Sequence, residues 1–534
     1  MKSNKLNENT NLIILASLIF SIKPLEFLAI NFSVANFSED LFYPMIFHLA
    51  IFVFYIILFS IFLRFKYVFA NKFFIFLAAA YYLQYFVLDL RDFLISVTPS
   101  LFNQNMLLLI SMALIVLISA GFTKLYFSSI NKNIFILGSL LLCLTQIGIL
   151  ITNSINSIDK PVDYELAEDN NVEDQYEANT ITGENVYYII LDGLVSYEYF
   201  TNASKIENKE FSNFNSFLED YNFRVFEDSL SSYNITFLTL GSILEMNYYD
   251  ENLSYKNRDQ FFPKLLYKNT PPRLIKRLNN IGYNFIYSGN FWAQCKNSLN
   301  FSCANRIINY DTLSTFERLI NFTSNAGIQT LTSRSILGFI LRKISSIVGS
   351  SFYDDGLENF LESGIDDIKP NTKKFYFIHN ESPHPPYPEK NCKIDHTKSY
   401  TGWISMEAYS FSISCALEKA TYTIDRIIQL DPSAIIVVQG DHGTSLNYDW
   451  MTNPLEMNKE QLKERYSIYN SMRLPERCNS SSSRSLGNVE TINLVYDCIS
   501  NKKETTISNR SFAAVYEDNR EHFGKLYEVT DNLK

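Results

Sequence analysis

Five long stretches almost free of charge crowd the first 152 residues, and no other feature restricts the fold as severely. Phe42–Leu63 is an uncharged run long enough to cross about 30 Å of hydrocarbon. Phe73–Leu88, Met106–Phe122 and Ile134–Thr152 follow it with short polar joints, and Leu12–Phe32 precedes it, interrupted by Lys23, Pro24 and Glu26. One such run is equally consistent with a buried core helix, but five in succession predict a helical membrane bundle. Lys23 and Glu26 lie three apart on one helix face, a spacing at which opposite charges neutralise each other.

The loops set the orientation. Lys2 and Lys5 precede the first span, Arg64, Lys66 and Lys72 join the second to the third, and Lys124 and Lys132 join the fourth to the fifth. The opposite loops carry Glu39 and Asp40, or Arg91 balanced by Asp89 and Asp92. The positive-inside rule therefore places the N-terminus in the cytoplasm, and five crossings export everything after Thr152. The expected location is the inner or plasma membrane, multi-pass, with the remainder of the chain on the periplasmic or extracellular side.

Three regions follow: 1–152 as the transmembrane domain, 153–185 as an acidic, Pro-containing linker, and 186–534 as one large exported domain. The formal charge of −10 excludes a non-specific nucleic-acid binder, which needs a basic surface. Of seven cysteines, Cys143 falls in the fifth span and the other six fall in the exported domain. An even set in an oxidising compartment predicts three disulfides, and loop-closure entropy favours Cys295–Cys303, Cys392–Cys415 and Cys478–Cys498.

Within the exported domain, Val186–Gly193 (VYYIILDG), Lys374–Glu381 (KFYFIHNE) and Ala434–Gly443 (AIIVVQGDHG) are short, β-rich apolar runs separated by helical patterns such as Pro272–Leu278 and Cys415–Leu430. Continuous apolar strands alternating with helices predict a mostly parallel sheet sandwiched by helices. Ligand sites in open sheets of this kind lie beyond the carboxyl ends of the strands. Asp192, His379, Asp441 and His442 all sit at such ends. A further segment, Ser229–Asp250, places Thr236 at or next to a helix N-terminus, where backbone N–H groups favour an anion. An N-cap threonine is the plain alternative. A hydroxyl becomes a good nucleophile when a metal favours its alkoxide, and two carboxylates, one imidazole and that oxygen suit Zn²⁺ or Mn²⁺.

The order LDG, SYNIT–LTLGSILEMNY, HNESPHPPY, QGDHG and ERYSIYNSMRLP resembles the membrane-anchored branch of the alkaline phosphatase/sulfatase superfamily, which includes lipoteichoic acid synthases and phosphoethanolamine transferases. The resemblance runs along essentially the whole chain. It implies an alkaline phosphatase/sulfatase-like catalytic domain behind about five helices. It also implies Asp192, Thr236, Asp441 and His442 as ligands of a divalent metal, and Thr236 as the nucleophile that carries a phosphoryl intermediate. His384, and less strongly His379, are then implied to face the substrate. The partners it implies are a membrane lipid donor and an envelope glycan or lipid acceptor. Phosphoethanolamine or phosphoglycerol transfer is the expected reaction, with a sulfatase-like hydrolase or phosphodiesterase as the alternative.

Two departures bear on this. The transferases usually place Glu where this chain has Asp192. The Cys/Ser-x-Pro-x-Arg context of formylglycine sulfatases is absent, because the position reads Thr236-Phe-Leu-Thr-Leu. Other residues keep plainer expectations: His48 as a buried neutral side chain in the second span, His396 and His522 as surface residues, and Glu464 with Arg465 as a structural ion pair.

Overall fold

The computed structural model describes residues 2–31, 42–63, 67–97, 104–129, 132–158, 182–204, 208–249, 271–289, 301–303, 356–363, 368–388, 405–448, 452–478, 485–502, 508–516 and 523–533, with isolated positions at 262, 264–267, 328, 331–332, 335–338, 340, 365, 392 and 403. Most of the linker at 153–185, together with Cys295, His396 and His522, lies outside these residues. Two compact units emerge: Met1–Pro161 with Tyr310–Phe352, and Val162–Asn309 with Tyr353–Lys534.

The first unit is helical. Its described helices are α1 (Lys2–Asn31), α2 (Phe42–Leu63), α3 (Tyr67–Leu83), α4 (Val87–Val97), α5 (Gln104–Ser128) and α6 (Asn133–Ile158), with one 3₁₀ turn, Gln84–Phe86, joining α3 to α4. Five segments are long and apolar enough to cross a membrane: Thr10–Ala29, Tyr43–Ile61, Ala70–Arg91, Met106–Ser128 and Asn133–Thr152. The third runs through the 3₁₀ turn. The bundle's buried seam joins Leu12, Leu15 and Ile19 of α1 to Tyr55 and Phe59 of α2 and to Phe74 and Ala78 of α3. Leucines such as Leu109, Leu117, Leu137 and Leu141 point outward, the pattern of a helix whose solvent is lipid. Lys23 Nζ lies 2.9 Å from Glu26 Oε1, the self-neutralising pair that their spacing predicts. His48 is buried, with the Tyr81 hydroxyl at its Nδ1.

Within 310–352, which the sequence reading places in the exported domain at 186–534, the described residues are 328, 331–332, 335–338 and 340. Leu331 is buried with Phe27 and Tyr85, and the Leu337 N–H donates to Gln84 Oε1 at 3.0 Å. The Gln84 side-chain oxygen thus gains a partly buried partner at the 3₁₀ turn.

The second unit is built on a sheet of β1 (Val186–Leu191), β2 (Arg224–Val225), β3 (Asn284–Ser288), β4 (Phe301–Cys303), β5 (Lys374–Asn380), β6 (Ile435–Gly440) and β7 (Asn470–Arg473). The described strands are ordered β2-β7-β6-β1-β5-β3-β4. The five strands from β6 to β4 run parallel, while at one edge β7 pairs antiparallel with β6 and β2 antiparallel with β7. β8 (Phe512–Tyr516) and β9 (Phe523–Glu528) form a separate two-stranded antiparallel sheet, with Phe512 bridged to Tyr233. Both faces of the sheet are covered, so its central strands are apolar throughout. Val186, Tyr188 and Ile190 pack under the helices Arg273–Asn280 and Asn488–Ser500, whereas Tyr187, Ile189 and Leu191 pack under Lys209–Asp220 and Met406–Leu430.

Disulfides join Cys392 to Cys415 and Cys478 to Cys498, and Cys303 is also disulfide-bonded. With five spans and cytoplasmic positive loops, these bridges fit a second unit on the outer side of the membrane. Cys478–Cys498 closes 20 residues of sequence, and replacing both cysteines by Ala is expected to cost about 3 kcal/mol. All three tryptophans, Trp292, Trp403 and Trp450, belong to the second unit. Denaturant unfolding of the full chain followed by tryptophan fluorescence therefore reads that unit, and an unchanged midpoint would show that the bridge contributes nothing.

Candidate active site and metal centre

Leu191, Asn380 and Gly440 are partners across three adjacent parallel strands, so β1, β5 and β6 end level. The residues just beyond carry the chemistry. The Asp192 N–H donates to Asn380 O at 2.9 Å. Gly193 then turns the chain at φ +74°, and a Cβ there would stand 2.7 Å from the Trp403 ring, so only glycine fits beneath the indole. Asp441 Oδ1 accepts from the Gly193 N–H at 2.8 Å and from the His442 N–H at 2.9 Å, which ties the two strand ends together.

The helix Thr236–Glu245 brings the hydroxyl. Its N-cap is Ile235, extended at φ −144° and without a side-chain cap, so Thr236 is the first helical residue and caps nothing. Its Oγ1 stands 2.9 Å from His442 Nε2 and 3.5 Å from Asp192 Oδ2. The loop before it is held on several sides. Asn234 Oδ1 accepts from the Ala514 N–H at 2.9 Å and its Nδ2 donates to Ala514 O at 3.4 Å. Arg465 Nε donates to Asn234 O at 2.8 Å and its Nη1 to Gly443 O at 3.0 Å, so one guanidinium joins the threonine loop to the Asp-His loop.

The expected Glu464–Arg465 ion pair does not form. Neighbours on a helix do not face each other, and Glu464 turns away to accept from Thr444 Oγ1 and Asn447 Nδ2, each at 2.9 Å. Arg465 was thus misread from sequence. Trp403 went unnoticed, because no motif marks it. Its ring meets His384 edge-on at 5.0 Å between centroids and Tyr409 at 5.6 Å, while the Tyr409 hydroxyl donates to Gly193 O at 2.7 Å.

The histidine protons follow from their partners. His442 Nδ1 lies 2.8 Å from Gly443 O, and a carbonyl only accepts, so Nδ1 carries the hydrogen and Nε2 presents a lone pair. That lone pair faces Asp441 Oδ2 at 3.5 Å and Asp192 Oδ1 at 3.6 Å. His384 Nδ1 is fixed in the same way by Pro385 O at 2.6 Å. Ligand atoms of Asp192, His384 and His442 all lie within 4.8 Å of one another. His379 is buried with Nε2 3.4 Å from Asp192 Oδ2, and Phe262 stands edge-on to its ring. All six residues singled out from sequence, Asp192, Thr236, His379, His384, Asp441 and His442, therefore converge on one end of the sheet.

Burial, with the Asp441 carboxylate beside it, pushes the Asp192 carboxyl up to about 8. Burial, reinforced by the Arg465 guanidinium, holds His442 well below the usual imidazole range. Asp192 Oδ1 and Asp441 Oδ2 are buried with no hydrogen-bond partner. Orphaned carboxylate oxygens beside a neutral imidazole are costly unless a cation joins them. The donor set of carboxylate, imidazole and hydroxyl fits Zn²⁺ or Mn²⁺.

A cation held at this site would displace the proton on Asp192. In the cation-free protein the folded carboxyl titrates near 8 and the unfolded one near its ordinary value of 3.8, so folded stability falls as pH rises through that window. Cation binding, which removes the proton, strengthens across the same window and levels off above it. The affinity of the full chain for Zn²⁺ is expected to rise about tenfold per unit between pH 6 and pH 8. Titration calorimetry at several pH values checks this, and a flat profile would remove Asp192 from the ligand set.

No family model matches the sequence, and a search of curated proteins returns no match. Among solved structures, the chain is similar to the C-terminal periplasmic domain of EptC from Escherichia coli, with 15% identity, a TM-score of 0.39, and 67% of this chain and 95% of that one covered. A second crystal structure of that domain is a complex with Zn. It is also similar to the integral membrane lipooligosaccharide phosphoethanolamine transferase A of Neisseria meningitidis, with 11% identity, a TM-score of 0.37, and 92% and 96% covered. The phosphonate monoester hydrolase of Silicibacter pomeroyi follows, with 11% identity, a TM-score of 0.36, and 62% and 80% covered. With each of these scores below 0.5, the chemistry assigned to this chain rests on its own geometry.

Proposed function

We propose that this chain is a metal-dependent phosphoryl-group transferase, moving a lipid headgroup phosphate, phosphoethanolamine or phosphoglycerol, onto an envelope glycan or lipid. One observation carries the reading. Thr236 Oγ1, at the start of a helix and capping nothing, lies 2.9 Å from the imidazole Nε2 of His442 and beside buried, orphaned carboxylate oxygens. A hydroxyl in that setting suits nucleophilic attack on phosphorus.

Asp192, Thr236, Asp441 and His442 would hold the divalent cation, which supplies Lewis acidity for the phosphoryl oxygens and favours the alkoxide of the hydroxyl. In the first step Thr236 Oγ1 forms a bond to phosphorus as the bond to the diacylglycerol oxygen breaks. Thr236 gives up one proton and the departing oxygen takes one up. In the second step an acceptor hydroxyl attacks phosphorus, the bond to Oγ1 breaks, and the proton released by the acceptor restores the threonine. The first N–H groups of the helix Thr236–Glu245 point toward a phosphate placed before them. His384, its ring fixed by Pro385 and Trp403, presents Nε2 to the same space, to hold the phosphate or to pass a proton to the leaving oxygen. Two histidines near the attack site also suit removal of the acceptor proton, with His379 the deeper of the pair.

Full-length protein incubated with Zn²⁺ or Mn²⁺ and mixed phospholipids, without acceptor, is expected to show a headgroup-phosphate adduct on the Thr236 peptide by mass spectrometry. Thr236→Ala removes the adduct and lowers headgroup transfer by roughly a thousandfold or more. Steady headgroup release without any adduct would overturn the transfer step in favour of a hydrolase.

A further inference from the structure

A cleft of about 540 Å³ opens on the helical unit between α3 and α5 and takes no part in the chemistry above. Besides Ala120, Thr123 and Ser128, its lining holds two kinds of group. Lys72 and Lys124 supply ammonium groups, and Phe73, Phe76 and Phe127 supply an apolar wall. Among the described residues neither ammonium is paired with a carboxylate, and no Asp or Glu lines the cleft. Lys72 sits near the start of the third span and Lys124 near the end of the fourth, and the loop charges place both ends at the cytoplasmic surface.

We propose that this cleft seats an anionic diacyl phospholipid of the inner leaflet, with its phosphate between the two ammoniums and its acyl chains along the phenylalanines. Basic pockets between spanning helices on the cytoplasmic side recognise anionic headgroups in this way. Charge complementarity selects the occupant. A zwitterionic headgroup would bring an ammonium to a cleft that offers it no carboxylate, and a free phosphate would leave the aromatic wall uncovered. Each lysine at the surface also gains from the negative potential of that leaflet. The site lies wholly within the helical unit, so it binds independently of the phosphoryl-transfer reading.

Native mass spectrometry of the full chain, equilibrated with equal amounts of phosphatidylglycerol and phosphatidylcholine in mixed micelles, reads the preference directly. The wild-type protein is expected to retain phosphatidylglycerol preferentially. The Lys72→Gln/Lys124→Gln protein loses that preference by on the order of thirty-fold, and Lys124→Gln alone by about fivefold. Lys72→Arg/Lys124→Arg keeps it, which separates loss of charge from loss of fold, and the single variant carries the test if the double Gln protein does not assemble. Equal retention of the two lipids by the wild-type protein would overturn the proposal, as would an unchanged preference in the Gln variants. Displacement of the bound lipid by excess inorganic phosphate would do so too, since it would mark a site for the free anion.

Discussion

The level ends of β5, β1 and β6 are the constraint on which the rest of the second unit depends. Leu191, Asn380 and Gly440 face one another across the ladder, and each is followed by a residue of the site or of its support. A shift of one residue in any of these strands would turn every side chain to the other face. Both faces are apolar, so alternation of hydrophobic and polar residues does not choose the register. Specific side chains do. Tyr187 stacks on Tyr376 at 4.9 Å and Tyr188 on Phe377 at 5.6 Å, and the Tyr188 hydroxyl donates to Gln439 Oε1 at 2.7 Å, which locks β1 to β5 on one side and to β6 on the other.

On that platform the site gathers groups that a folded protein otherwise keeps apart. Two buried carboxylates lie close enough for one to raise the other's affinity for a proton, and a buried guanidinium acts on Asp192 as well. Arg465 favours charge on Asp192 and disfavours charge on His442, so its field and that of an incoming cation act in the same sense on the protons. It makes this contribution while its own hydrogen bonds hold backbone carbonyls on both loops. Local rules of polar burial are broken where chemistry is expected to occur, and the surrounding hydrogen bonds sustain the violation.

Much of this was legible in the sequence, for identifiable reasons. Spans are readable because lipid demands an uninterrupted apolar length. The three central strands are readable because parallel strands buried on both faces are short, apolar and end in Asp-Gly, His-Asn or Asp-His. Thr236 stood out through its neighbours rather than on its own. What escaped depends on distance in the chain. Nothing local says that Leu331 joins Phe27 and Tyr85. Trp403 covers Gly193 from more than two hundred positions away, and Arg465 was read with its immediate neighbour because adjacency is all that a sequence displays. The antiparallel pairing of β7 was equally silent, since a four-residue strand carries no mark of direction.

The clamp of Asn234 on Ala514 has a consequence in time. The hydroxyl of Thr236 is set by a loop whose outer wall is β8, through Asn234 and through the Phe512 N–H, which donates to Ser232 O at 2.9 Å. A chain made from its N-terminus delivers Asp192 and Thr236 well before the strand that steadies the threonine loop. During synthesis and translocation the threonine therefore waits, chemically complete but spatially unset. The candidate site stays unset until β8 has arrived.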